Sequence, residues 1–242
     1  LPITLIVIVL LWQALLPESG GVALILPRPN RILEKFVSVT QNGLLIRELG
    51  VTALEIFLGF SFGVGIAFGI GYSIAHNRLL EQILAPYLVG FQALPIVAIA
   101  PALILWLGPG LASNSVICAF IVFFPMLMST VVGIKTIDAD RHELFNSWAV
   151  TRWNRFRHLE FPGALPSLFG GLKVSVILAV AGAVVAESVT PIGGIGSLLY
   201  AARSRYDSAL AWVAVFTLTA FALTLYGAVN ALERRLLRWR RS

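Results

Sequence analysis

Charge is scarce in this chain. Asp, Glu, Lys and Arg make up 12% of its 242 residues, and hydrophobic residues make up 58%. Soluble domains carry about 25% charged residues. The deficit excludes an ordinary soluble domain and points to an integral membrane protein. Cysteine occurs once, at Cys118, inside an apolar run. It excludes an internal disulfide and reads as a small buried hydrophobe. The three histidines, His76, His142 and His158, have no Cys or carboxylate at metal-ligand spacing, so no metal site is expected. The net charge is +6, yet the basic residues flank apolar runs instead of forming one patch with interleaved aromatics. Nucleic acid is therefore not an expected partner, and the cations read as topology determinants.

No catalytic residue stands out either. Gly170-Gly171-Leu172-Lys173-Val174-Ser175 has the look of a phosphate loop, but Lys173 is not directly preceded by Gly and no strand leads into it. The chain is therefore read as having no ATP site of its own. Gly193-Gly194-Ile195-Gly196 lacks the third glycine and the βαβ context of a dinucleotide site, and reads as a loop.

What the chain does have is long apolar runs. A span needs about 20 residues to cross about 30 Å of hydrocarbon. Such runs occupy residues 1–16, 52–75, 83–107, 111–132, 165–189 and 209–231. They are apolar all round, which excludes the alternating strands of a closed barrel. The expected fold is all-α: one transmembrane domain over residues 1–242 with six membrane helices. The first run is short and already apolar at Leu1, so residues are expected ahead of it.

The cations orient the helices. Arg78, the connection 133–164 and the C-terminal tail carry nearly twice as many Lys and Arg as the opposite connections. That side is expected to be cytoplasmic, with both chain ends on it. The opposite segment from Arg28 to Arg47 is amphipathic, with Ile32, Leu33, Phe36 and Val37 at helical spacing, and should lie along the outer interface.

Within the runs, Gly59/Gly63 and Gly65/Gly69 repeat at four residues, a spacing that lets helix backbones approach closely. It serves either packing within the chain or a dimer seam. Pro86, Pro95 and Pro101 interrupt the third run, and each can kink a helix. Such breaks are tolerated beside protein or a water-filled cavity. The third run is therefore the expected lining of a pathway, with Gln92 and Pro95 as lining residues. Glu55 and Glu187 fall near outer helix ends and Lys173 near an inner one, where solvation or snorkelling would satisfy them. Glu187 is also a candidate for the outer mouth of the pathway.

The polar insert from Glu143 to Pro166, ELFNSWAVTRWNRFRHLEFPGALP, is the most distinctive feature. Asp138, Asp140 and Glu143 place negative charge before a helix-forming stretch. Thr151 can cap a second short helix running through Phe161, just before Pro162. Trp148, Trp153 and Phe156 are large aromatics outside the apolar runs. They either pack on the protein's own helix ends or fill a partner's groove.

This insert resembles the cytoplasmic loop of permease subunits of ATP-binding-cassette importers, whose pattern is E-A-A-x3-G-x9-I-x-L-P. Here Glu143 and Pro162 match outright, Leu159 stands in for Ile, and Leu144, Phe145, Ala149 and Phe161 occupy the remaining positions. Phe91 to Gly110, Phe123 to Asp138, Gly171 to Ser175, Ala186-Glu187 and Leu232 to Arg240 are similar to the nitrate/sulfonate/taurine branch of these permeases. Within that branch, VSVILAVAGAVVAE is similar to importers of pyrimidine precursors of thiamin or of related flavin compounds.

The resemblance implies a type I importer permease with a coupling-helix hairpin between helices four and five. Glu143, Leu144, Phe145, Trp148, Ala149, Arg152, Leu159 and Pro162 would contact the ATPase. It further implies two permease copies as a homodimer and two separate ATPase subunits that bind ATP and Mg. A periplasmic or lipid-anchored binding protein would deliver the solute, and the site of action would be the bacterial inner membrane. A secondary transporter or channel acting alone is the alternative. It would need its own ion site, and no deep carboxylate or histidine relay is apparent.

Overall fold

The computed structural model describes residues 4, 12–13, 26–138, 140, 145, 150–190 and 192–238. Helix is the only regular element among them. An amphipathic α1 (Pro29–Gln41) leads into the long α2 (Leu44–His76). Next come α3 (Arg78–Ala93), α4 (Ile96–Leu107) and α5 (Leu111–Lys135). After the 138–150 connection, one turn of helix α6 (Arg152–Arg155) runs through a π-helical turn (Phe156–Glu160) into α7 (Phe161–Val189). The chain closes with α8 (Ile195–Ser204) and α9 (Ser208–Leu236).

Among the described residues, four helices are long and apolar enough to cross a membrane: Leu44–His76, Leu111–Lys135, Arg152–Val189 and Ser208–Leu236. A fifth span is possible if the α3–α4 pair counts as one, although it is bent by 95°. The expected first span lies almost wholly outside the described residues. The third run is not one helix. Leu94 and Pro95 have extended backbone, and Pro95 N-caps α4. Proline cannot donate to the preceding turn and pushes the residue before it out of the helical region. Pro86, Pro101 and Pro125 sit inside helices without ending them.

Helix α5 is the centre of the molecule, flanked by α2 on one side and α7 on the other. Glycine sets the first seam. A Cβ on Gly63 would lie 2.6 Å from the Ala119 carbonyl oxygen, and one on Gly71 would lie 2.9 Å from Thr130 Cβ. A Cβ on Gly59 would overlap Cys118 and the Ser115 carbonyl. The Gly59/Gly63 spacing thus serves packing within the chain. Gly65 and Gly69 face open space. Cys118 is fully buried between α2 and α7, as its sequence position suggests.

Ion pairs tie elements together across the bundle. Lys35 of α1 meets Asp207 at 2.5 Å, and Lys135 at the end of α5 meets Glu81 of α3 at 2.5 Å. Helix α1 buries Ile32 and Val39, while Leu33, Phe36 and Val37 stay exposed. That apolar stripe away from the core fits an interfacial helix.

Candidate functional site

Two polar clusters, each built on a buried carboxylate, occupy opposite ends of the bundle. The first lies where the 150–162 segment meets α2. Thr151 caps α6, its hydroxyl accepting from the Asn154 amide at 3.4 Å. The helix does not stop at Phe161 as the sequence suggests. It passes through the π turn and continues to Val189. A π turn replaces the usual i−4 bonding locally, which accommodates Pro162, a residue with no N–H to donate.

The π turn delivers Glu160 into the interior, where it is 1% exposed. Tyr72 donates its hydroxyl to Glu160 Oε2 at 2.7 Å. His76 Nε2 lies 2.9 Å from Glu160 Oε1, and His76 Nδ1 lies 2.9 Å from the Tyr72 carbonyl oxygen. Both ring nitrogens therefore face acceptors. Arg155 Nε stands 3.2 Å from the same carboxylate. Aromatic rings pack beside these polar groups. Phe156 meets Tyr72 edge-on at 5.4 Å, stacks on Trp153 at 5.6 Å and lies 5.7 Å from Phe161.

The second cluster joins α2, α5, α7 and α8 at the other end. Glu187 is fully buried. Its Oε1 accepts from Thr52 Oγ1 at 2.7 Å, and its Oε2 accepts from the Gly196 and Ser197 amides at 2.5 and 3.2 Å. These amides open α8, so the carboxyl caps the electropositive start of that helix. Thr52 in turn accepts from the Ile195 amide at 2.8 Å, and Glu48 Oε2 accepts from the Gly194 amide at 2.6 Å. Gly193 and Gly194 adopt φ of +157° and +101°. A Cβ on Gly194 would overlap the Glu187 carboxyl. The loop reading of the Gly193–Gly196 stretch is correct only in part, since its last two residues begin α8. Beside it, Asn114 donates to Glu55 Oε1 at 2.8 Å and accepts from Thr190 at 2.8 Å.

Helix-end solvation does not describe either glutamate: Glu55 and Glu187 are 2% and 0% exposed. Lys173 is half-buried and finds protein partners, with Glu233 at 2.5 Å and the Tyr226 ring centroid at 5.9 Å.

The expected site residues distribute as follows. Gln92 and Pro95 are exposed at the α3–α4 bend, and Glu187 is interior. Arg152 is exposed, Pro162 half-buried and Leu159 buried at 7% exposure. Phe145 is helical and half-buried. Glu143, Leu144, Trp148 and Ala149 lie outside the described residues. Gly170 to Ser175 is inside α7, so its amides bond along the helix and form no phosphate cradle.

Sequence reasoning missed Tyr72, His76, Arg155 and Glu160 as a unit, and likewise Glu48, Thr52, Asn114, Thr190 and Ser197. One signal was available: Tyr72 and His76 are four residues apart on one helix face.

The helical bundle, with its central helix, bent third segment and polar connection before α7, shares its fold with solved transporter structures. An inward-facing structure of the MetNI methionine ABC transporter superposes with a TM-score of 0.71 at 19% identity, covering 80% of this chain and 96% of that one. A second amino acid ABC transporter structure gives 0.66, also at 19% identity, over 83% of this chain and 98% of that one.

The chain belongs to the family described as binding-protein-dependent transport system inner membrane component, matched over residues 61–238. It is thereby a permease of the ATP-binding-cassette transporters. Among curated relatives, the riboflavin transport system permease protein RibX of Chloroflexus aurantiacus is 42% identical over 242 residues, covering 100% of this chain and 90% of that one. The formylaminopyrimidine transport permease protein ThiX of Halalkalibacterium halodurans is 27% identical over 98% of this chain and 94% of its own. The putative aliphatic sulfonates transport permease protein SsuC of Bacillus subtilis is 30% identical over 98% of this chain and 86% of its own.

Proposed function

We propose that two copies of this chain form the membrane pathway of an ATP-driven importer, and that its solute is a riboflavin-like heterocycle. The observation that carries the substrate is the 42% identity to a riboflavin permease along the whole chain. The similarity to a formylaminopyrimidine permease points to the same chemical class, a planar nitrogen heterocycle. A nitrate-, sulfonate- or taurine-like anion receives less support, since SsuC is 30% identical against 42% for RibX.

In this reading the connection 133–164 is the coupling element. Glu143, Leu144, Phe145, Trp148, Ala149 and Arg152 contact an ATPase subunit, and Leu159 and Pro162 seat the element on the bundle. Two ATPase subunits bind ATP and Mg and close on nucleotide, drawing the two elements together. Continuity of α6, the π turn and α7 supports this, because displacement at Arg152 acts directly on a membrane helix. The ATPases drive the change only if they bind the two arrangements with different affinity. A binding protein delivers the solute on the outer side of the bacterial inner membrane. Gln92 and Pro95, exposed at the bend, line the pathway. Glu187 shapes its outer mouth through α8. The C-terminus is cytoplasmic.

Reconstitution in proteoliposomes with the ATPase and a riboflavin-loaded binding protein tests this. ATP-dependent riboflavin accumulation is expected. Accumulation with the ATPase left out would refute the importer reading. ATP-dependent accumulation of a formylaminopyrimidine or a sulfonate but not riboflavin would reassign the substrate.

A further inference from the structure

We propose that Glu160 is a positioning residue that locks the ATPase-contacting segment to the inner end of α2, so that this segment, α2 and α7 move as one body. The proposal rests on the coupling role given above to residues 133–164. It goes beyond that role by naming the joint through which movement leaves the segment.

The geometry is specific. Continuity with α7 alone would connect the segment to one membrane helix, and through a π turn, where helices flex and bend. Glu160 sits at the last position of that turn and is buried at 1% exposure. From there it reaches across to α2, accepting from Tyr72 at 2.7 Å and meeting His76 at 2.9 Å. Tyr72 and His76 are one helical turn apart, so the carboxylate grips α2 at two levels. Two contacts fix orientation as well as distance, which one would not.

Arg155 approaches the same carboxylate from the segment side at 3.2 Å, so the grip spans the π turn itself. Phe156 adds apolar contact to the same part of α2 at Phe68 and Tyr72. The Glu160 carboxylate is the buried member of this network, so a displacement that parts it from Tyr72 and His76 strands it in low dielectric, and that cost holds the joint.

The test uses the complete complex of permease, ATPase subunits and binding protein. Cys118 is buried, so introduced thiols label selectively. Spin labels are placed at Ser73→Cys on α2 and Asn154→Cys on α6, both exposed. Labelled chains are diluted with unlabelled ones so that only distances within one chain are read. The expected result is one narrow distance distribution, unchanged between nucleotide-free and ATP-trapped states. In the Glu160→Gln background it should broaden or differ between the states, and solute uptake per ATP hydrolysed should fall about tenfold.

A distance that shifts with nucleotide in the otherwise native protein overturns the proposal. So does a Glu160→Gln protein with the same narrow distribution and undiminished uptake per ATP. If Glu160→Gln does not assemble, Tyr72→Phe removes one of the two grips without disturbing charge and must show the same broadening. Failure of the native chain to bind the ATPase would refute the coupling role itself. Native docking and uptake with an indifferent Glu160 would refute only the joint.

Discussion

Replacing Glu187 by Ala is expected to destabilise the protein severely while leaving membrane insertion intact. The side chain is fully buried and receives three donors: Thr52 Oγ1, Gly196 N and Ser197 N. A buried donor left without an acceptor costs about 1–3 kcal/mol. Thr52 keeps an acceptor in the Glu48 carbonyl at 3.3 Å, so the two amides set the loss, and with a water entering the vacated space it is about 2–5 kcal/mol. For a chain of this size the corresponding fall in melting temperature is roughly 4–20 °C.

The Thr52→Val variant should lose less, because it removes one hydroxyl that serves both Glu187 and the Ile195 amide. The double variant should be less destabilised than the sum of the two singles, since they share a bond. Thermal unfolding of the detergent-solubilised protein, followed by fluorescence-detected size exclusion, reads all three. A Glu187→Ala protein melting with the wild type would refute the cap on α8. Strictly additive losses would refute the shared network.

Gly63→Val should destabilise by about 1–3 kcal/mol through overpacking, because its Cβ would press on the Ala119 carbonyl. The same melt would show Gly65→Ala within about 0.5 kcal/mol of wild type, since nothing lies near that position. Glu143→Lys should weaken ATPase co-purification while the permease still inserts normally; undisturbed docking would remove Glu143 from the contact. Gln92→Leu should lower riboflavin uptake in proteoliposomes without moving the melting temperature, because the side chain is exposed. Unchanged uptake would take Gln92 off the pathway.

Much of the helical framework was legible in the sequence, because it depends on local signals. Apolar runs located α2, α5, α7 and α9, and Thr151 marked the start of α6. Gly59 and Gly63 marked a close seam. Pro95 marked a break, although its 95° bend depends on what the two arms pack against. The buried clusters were not legible. Thr52 and Glu187 are 135 positions apart, and Tyr72 and Glu160 are 88 apart, so no window of sequence relates them. Glu55 and Glu187 taken singly looked like charges seeking water, and Glu160 stood in the polar insert with no signal of its own. Their burial follows from tertiary partners, chiefly the free amides at the start of α8 and the aromatic pocket around Phe156. The π turn was hidden for a similar reason: Pro162 signalled a helix end, while packing on α2 carried the helix through it.

The most direct test of the importer account is riboflavin uptake into proteoliposomes holding the permease, with ATPase and binding protein supplied or withheld separately. Accumulation that requires ATP, the ATPase and the binding protein together is the predicted result. Accumulation by the permease alone, driven by a solute or ion gradient, would contradict it.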